Sequence, residues 1–230
     1  MVSLLLPIIY TAFISLGLPD SLLGSAWPTM YPELGVPVSC AGILSMIISL
    51  GTILSSLQSD RLTRTLGTGR VTAISVGMTA AALFGFSIST QFWMLCLWAI
   101  PYGLGAGSVD AALNNYVALH YRSRHMSWLH CMWGIGTMVS PMVMGAALTH
   151  GMHWTVGYRA IALFQVLLTV ALVVSLPLWK ERRTESGTEE TAPQALSLRQ
   201  VFALPGAREV MLCFFCYCAL ETTAGLWASS

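Results

Sequence analysis

The sequence predicts an all-α, polytopic membrane protein, a six-helix bundle followed by a seventh helix, and three observations predict it. Charged residues fill only 9% of the 230 positions while hydrophobic ones fill 55%, and mean hydropathy is +0.69; soluble domains run near a quarter charged. Apolar runs of about twenty residues, enough to cross the hydrocarbon core as a helix, recur along the chain. Long runs such as IALFQVLLTVALVVSLPLW also lack the alternation of a barrel strand. The net charge of +1 comes from basic residues held in short segments between the apolar runs. Nothing forms the basic stripe of a nucleic-acid face.

Span one, roughly Leu4 to Trp27, has no Lys or Arg before it and no small-residue cleavage site after it, so it is expected to be retained rather than cleaved as a secretory signal. Spans two to six follow at about Ala41 to Leu57, Val71 to Ser89, Phe92 to Leu119, Trp128 to Leu148 and Val156 to Leu178. A seventh begins at Val210. Arg61, Arg64 and Arg70 follow span two, Arg122 and Arg124 span four, and Lys180, Arg182, Arg183, Arg199 and Arg208 span six, leaving only Arg159 on the other side. The positive-inside rule then predicts a cytoplasmic N-terminus in a cell membrane. Between spans six and seven, KERRTESGTEETAPQALSLRQ is too polar to bury a core and reads as a cytoplasmic linker, with a short surface helix in SLRQVFAL. The expected units are therefore a bundle over 1–179, a linker over 180–207 and a seventh helix over 208–230. Cys213 and Cys216 lie one helical turn apart, but no His or carboxylate joins them at ligand spacing. No metal or cofactor is expected.

Polar residues inside the spans carry the functional signal. In GLGAGSVDAALNNYVALHY, Gly103, Gly107, Asp110 and Asn114 fall at i, i+4, i+7 and i+11, one stripe of a helix, with Asn115 beside them. Small residues on such a stripe admit a neighbouring helix closely. A carboxylate facing lipid is costly, so Asp110 must be protonated, be paired or line a water-filled cavity; the plainer alternative is a structural acid bonded to a neighbour. Asp20, in GLPDSLLGSAWP, follows Gly17 and Pro19, which weaken the backbone ladder as in helices that line cavities. Span five, MSWLHCMWGIGTMVSPMVMG, offers Trp128 and His130 as substrate contacts, an aromatic ring suiting the apolar face of a sugar, against the plainer reading of an interfacial Trp and a packed His. Glu221 is a third intramembrane acid, a candidate for the same cavity.

The segment SSLQSDRLTRTLGTGRV resembles the loop between the second and third helices of the major facilitator superfamily, whose signature is Gly-x-x-x-Asp-Arg-x-Gly-x-Arg, with Ser56 and Thr63 replacing the glycines. The resemblance implies a gating loop built on Asp60, Arg61 and Arg64. Span four is similar to the fourth helix of the sugar-transporting, fucose permease-like branch, where an acid is followed a turn later by Asn. That likeness implies two six-helix bundles and proton-coupled movement of a sugar or similar small solute. It implies proton coupling through Asp110 and Asp20 and substrate contact through Asn114. The remaining partners expected are membrane lipid and a second bundle that would follow this chain, of which spans one to six are the first half. One acid in span one and one in span four is what inverted three-helix repeats would produce. No Walker loop is present, so an ion gradient rather than ATP would drive transport. Two further readings remain open: an intramembrane enzyme using paired aspartates, which would need Asp20 and Asp110 in hydrogen-bonding reach, and a non-transporting fragment.

Overall fold

The computed structural model describes residues 5–179 and 198–227. The first span is two helices, α1 (Leu5–Asp20) and α2 (Leu22–Glu33), divided at Ser21. Pro19 explains the break, because it cannot donate to the carbonyl one turn back. Spans two to six are α3 (Cys40–Leu66), α4 (Thr68–Ile88), α5 (Phe92–His120), α6 (Ser123–Thr149) and α7 (Trp154–Val174). A short α8 (Leu198–Ala203) lies where SLRQVFAL predicted one, and α9 (Ala207–Trp227) is the seventh apolar helix. The first part of the expected linker, 180–197, lies outside the described residues. Among the described residues, seven helices, with α1 and α2 counted as one, are long and apolar enough to cross a membrane.

Span two corrects its expected boundary. Neither Gly nor Pro occurs from Thr52 to Leu66, so α3 runs on past Leu57 through the basic segment. It stops only at Gly67, whose φ of +85° a residue with a side chain would rarely adopt.

Two of the bundle's main helix crossings are of the same kind, and α4 packs against both α5 and α7 beside them. In one, α3 meets α5 so closely that a Cβ on Gly103 would press into the carbonyl of Ile48. Hydroxyls then bridge the helices, with Thr52 Oγ1, Ser56 Oγ and Ser59 Oγ donating to the carbonyls of Gly103, Gly107 and Ser108 at 3.3, 3.1 and 3.4 Å. Ser56 thus has a use of its own where the signature has glycine. In the other crossing, α1 meets α6, and a Cβ on Gly136 would press into the carbonyl of Ile14. Hydrocarbon gives helices no hydrophobic reason to associate, so close backbone approach and such hydrogen bonds supply the contact. Spans four with two, and one with five, are the pairs that inverted repeats would relate. Two buried tiers complete the packing: Trp27, Leu83, Phe86 and Tyr158 towards one membrane face, and Phe13, Val76, Leu113 and Leu172 towards the other.

Candidate functional site

Asp20 ends α1 about halfway along the first span, where the break at Ser21 turns it toward spans four and five. Tyr102 Oη of α5 donates to its Oδ1 at 3.0 Å, and Trp133 Nε1 of α6 donates to its Oδ2 at 2.9 Å. Three spans therefore converge on one carboxyl group. Tyr102 is only 4% exposed, whereas Asp20 itself is exposed among the described residues, so the acid bonds a buried donor while remaining open on its other side. The two donors differ in kind. An indole N–H can only donate, but a phenol can also accept, so a proton placed on Oδ1 needs only a turn of the Tyr102 hydroxyl. Asp20 can change its charge there while keeping both neighbours.

Asp110 lies eight residues beyond Tyr102 on α5, about 12 Å along the helix axis. It is half-buried, and Asn114 Nδ2 donates to its Oδ1 at 2.9 Å and to its backbone carbonyl at 3.1 Å. The stripe expected of span four is realised: Gly103 and Gly107 are sealed against α3, while Asp110 and Asn114 remain partly open. Among the described residues, no hydrogen bond joins the two aspartates, which bond separate partners. The paired-aspartate enzyme reading is not favoured by that arrangement.

Among the remaining candidates, Glu221 lies within electrostatic reach of Asp20 and His130 within reach of Asp110. His130 is exposed and meets Phe13 edge-on at 6.0 Å. Trp128 is 55% exposed and Asn115 is exposed, and no hydrogen bond draws either toward Asp20 or Asp110. Glu221 of α9 is partly buried and accepts from Tyr217 Oη one turn away at 3.1 Å. Asp60, Arg61 and Arg64 occupy the last turns of α3 and are exposed. Asp60 bonds Arg64 at 3.1 Å along the helix, an exposed i,i+4 pair of small energetic weight. Counted from Asp60, the signature's final arginine falls on Thr65. Arg64 joins this group by its place on the helix surface.

At the opposite end, Glu33 fastens span one to span six. His153 Nδ1 accepts the backbone N–H of Thr155 at 3.4 Å, which assigns the ring proton to Nε2, and Nε2 donates to Glu33 at 2.7 Å. Trp154 Nε1 donates to the other Glu33 oxygen at 2.6 Å. These residues edge a cleft of about 370 Å³ that also reaches Arg159. Asp20 is not among the residues that line it.

Sequence reasoning missed Tyr102 and Trp133. In sequence each is one more aromatic among apolar neighbours, and neither lies near Asp20. Only the crossing of α1 with α6 at Gly136 brings the Trp133 turn beside Asp20.

Residues 9–230 match the model of the Major Facilitator Superfamily. The chain is 23% identical over 229 residues to the quinolone resistance protein NorA of Staphylococcus aureus, covering 96% of this chain and 56% of that protein. It is 26% identical over 123 residues to the uncharacterized transporter y4wD of Sinorhizobium fredii (52% of this chain, 31% of the relative), and 24% identical over 168 residues to the synaptic vesicle glycoprotein 2C of Rattus norvegicus (70% and 23%). The crystal structure of a peptide transporter POT in complex with sulfate superposes with a TM-score of 0.63 at 19% identity, over 94% of this chain and 45% of that one. The chain spans about half the length of NorA and of the peptide transporter.

Proposed function

The chain belongs to the Major Facilitator Superfamily, a family of multi-pass membrane transporters, and from that premise we propose that it forms the first bundle of a secondary transporter for a sugar or similar small solute. The observation that carries this reading is the accessible Asp20 carboxyl held between Tyr102 and Trp133 where three spans meet. A carboxylate and an indole at one place suit a hydroxylated ring, which stacks on one and bonds the other. Asp20 and Asp110 take and release the coupling proton, and Asn114, already bonded to Asp110, links that proton to a substrate hydroxyl. The second bundle closes the other wall, against the exposed faces of α3 (Met46, Leu50, Ile53) and α6 (Met138, Met142), and the two halves rock about the solute.

The likeness to NorA across 96% of the chain supports a second reading, export of a planar amphipathic compound. A transport assay with the full-length protein in proteoliposomes separates the two. Labelled monosaccharides should exchange into vesicles preloaded with unlabelled sugar. A protein that moves none of them, but expels a fluoroquinolone, belongs to the second reading.

We place the N-terminus and the end of α3 in the cytoplasm of a plasma or inner membrane. The basis is the gathering of ten of the eleven basic residues into the even-numbered connections. Cysteine at position 61 should resist a membrane-impermeant maleimide added to intact cells, and cysteine at position 33 should react. The reverse pattern would invert the topology.

A further inference from the structure

Pro19 leaves the carbonyl of Ser15 without its helical donor, one turn back along α1. Gln165 of α7 answers it: its side chain is 1% exposed, and its Nε2 donates to the Ser15 carbonyl oxygen at 2.7 Å. A carbonyl can only accept, so the amide nitrogen must face Ser15. Gln165 Oε1 is buried with no partner, and such an orphan is destabilising in a membrane interior. The donor end is thus the part of this side chain that the fold uses. The carbonyls of Leu97 and Thr137, freed in the same way by Pro101 and Pro141, receive no side-chain hydrogen bond among the described residues.

We infer that Gln165 is a positioning residue: it replaces the backbone hydrogen bond removed by Pro19, fixes the bend of span one, and thereby holds Asp20 against Tyr102 and Trp133. Five residues of helix separate Ser15 from Asp20, a rotation of about 140°, so Gln165 grips α1 on a different face from the one on which Asp20 meets Tyr102 and Trp133. The inference rests on Asp20 belonging to the transport site, but its test reads the geometry of Asp20 and not transport.

The logic predicts that a restored N–H makes Gln165 dispensable. In the full-length protein, Asp20 is modified by dicyclohexylcarbodiimide and the labelled peptide is followed by mass spectrometry. Gln165→Met should speed labelling of Asp20 by about threefold or more, the scale of one net hydrogen bond. Adding Pro19→Ala, which gives the Ser15 carbonyl its backbone donor back, should recover the thermal stability in detergent that Gln165→Met loses. A Gln165→Met protein that fails to fold, while Pro19→Ala/Gln165→Met folds, also supports the inference. An unchanged labelling rate in Gln165→Met overturns it, as does a double variant no more stable than Gln165→Met. If the rescue holds while Asp20→Asn leaves transport intact, Gln165 positions an acid that transport does not need, and only the functional reading fails.

Discussion

Asp110→Asn in the full-length transporter is expected to lower accumulation against a gradient by about two orders of magnitude, the scale of removing a positioned proton-transfer group. Exchange of solute down its gradient should survive. The substitution keeps the shape of the side chain and a partner for Asn114, whose bond to Asp110 Oδ1 is 2.9 Å long, and removes only the capacity to change charge. An intramembrane acid carries a cost in hydrocarbon that water in an open cleft relieves. A carboxyl group whose hydration alternates between the two faces can therefore exchange protons with each in turn, and an amide cannot. Uptake and counterflow measured in the same vesicles check the split. An Asn variant that still concentrates solute would leave Asp110 structural and shift the coupling to Asp20 or Glu221.

Gly136→Ala is expected to be the most damaging small substitution in span five. Its added methyl would press into the carbonyl oxygen of Ile14 and lie within 3.1 Å of the backbone of Gly17, atoms that no rotamer change can move. Overpacking of this kind costs about 1–3 kcal/mol. Here it would also part α1 from α6, and with them Asp20 from Trp133. Gly134 provides the control two residues away, because a Cβ there would meet nothing within 4 Å. Thermal unfolding of the two variants in detergent should show a lowered midpoint for Gly136→Ala and little change for Gly134→Ala. Equal midpoints would mean that the crossing can spread at no cost.

The bundle was legible because hydropathy reports the solvent, and the solvent here dictates helices of one length. The break in span one could be read from Gly17 and Pro19, and the stripe on span four from its spacing. What escaped was of two kinds. The length of α3 was set by the absence of any Gly or Pro between Gly51 and Gly67, a local signal masked by the drop in hydropathy after Leu57. The partners of Asp20 depend on which helices cross and at what height. Tyr102 lies 82 residues from Asp20 and Trp133 lies 113 residues away, and no pattern within a single span encodes either contact. Gln165 escaped for the same reason: a lone amide in IALFQVLL shows that something polar is answered there, but not that it answers Pro19 across the bundle.

Joint movement of protons and solute is the most direct measurement of the account. The full-length protein is reconstituted into vesicles holding a pH-sensitive dye, with the membrane voltage clamped by potassium and valinomycin. A labelled monosaccharide added outside should acidify the lumen in fixed proportion to the sugar that enters, and the Asp110→Asn protein should give no such signal. Sugar accumulation by the wild-type protein with no change in lumenal pH would contradict proton coupling through this bundle.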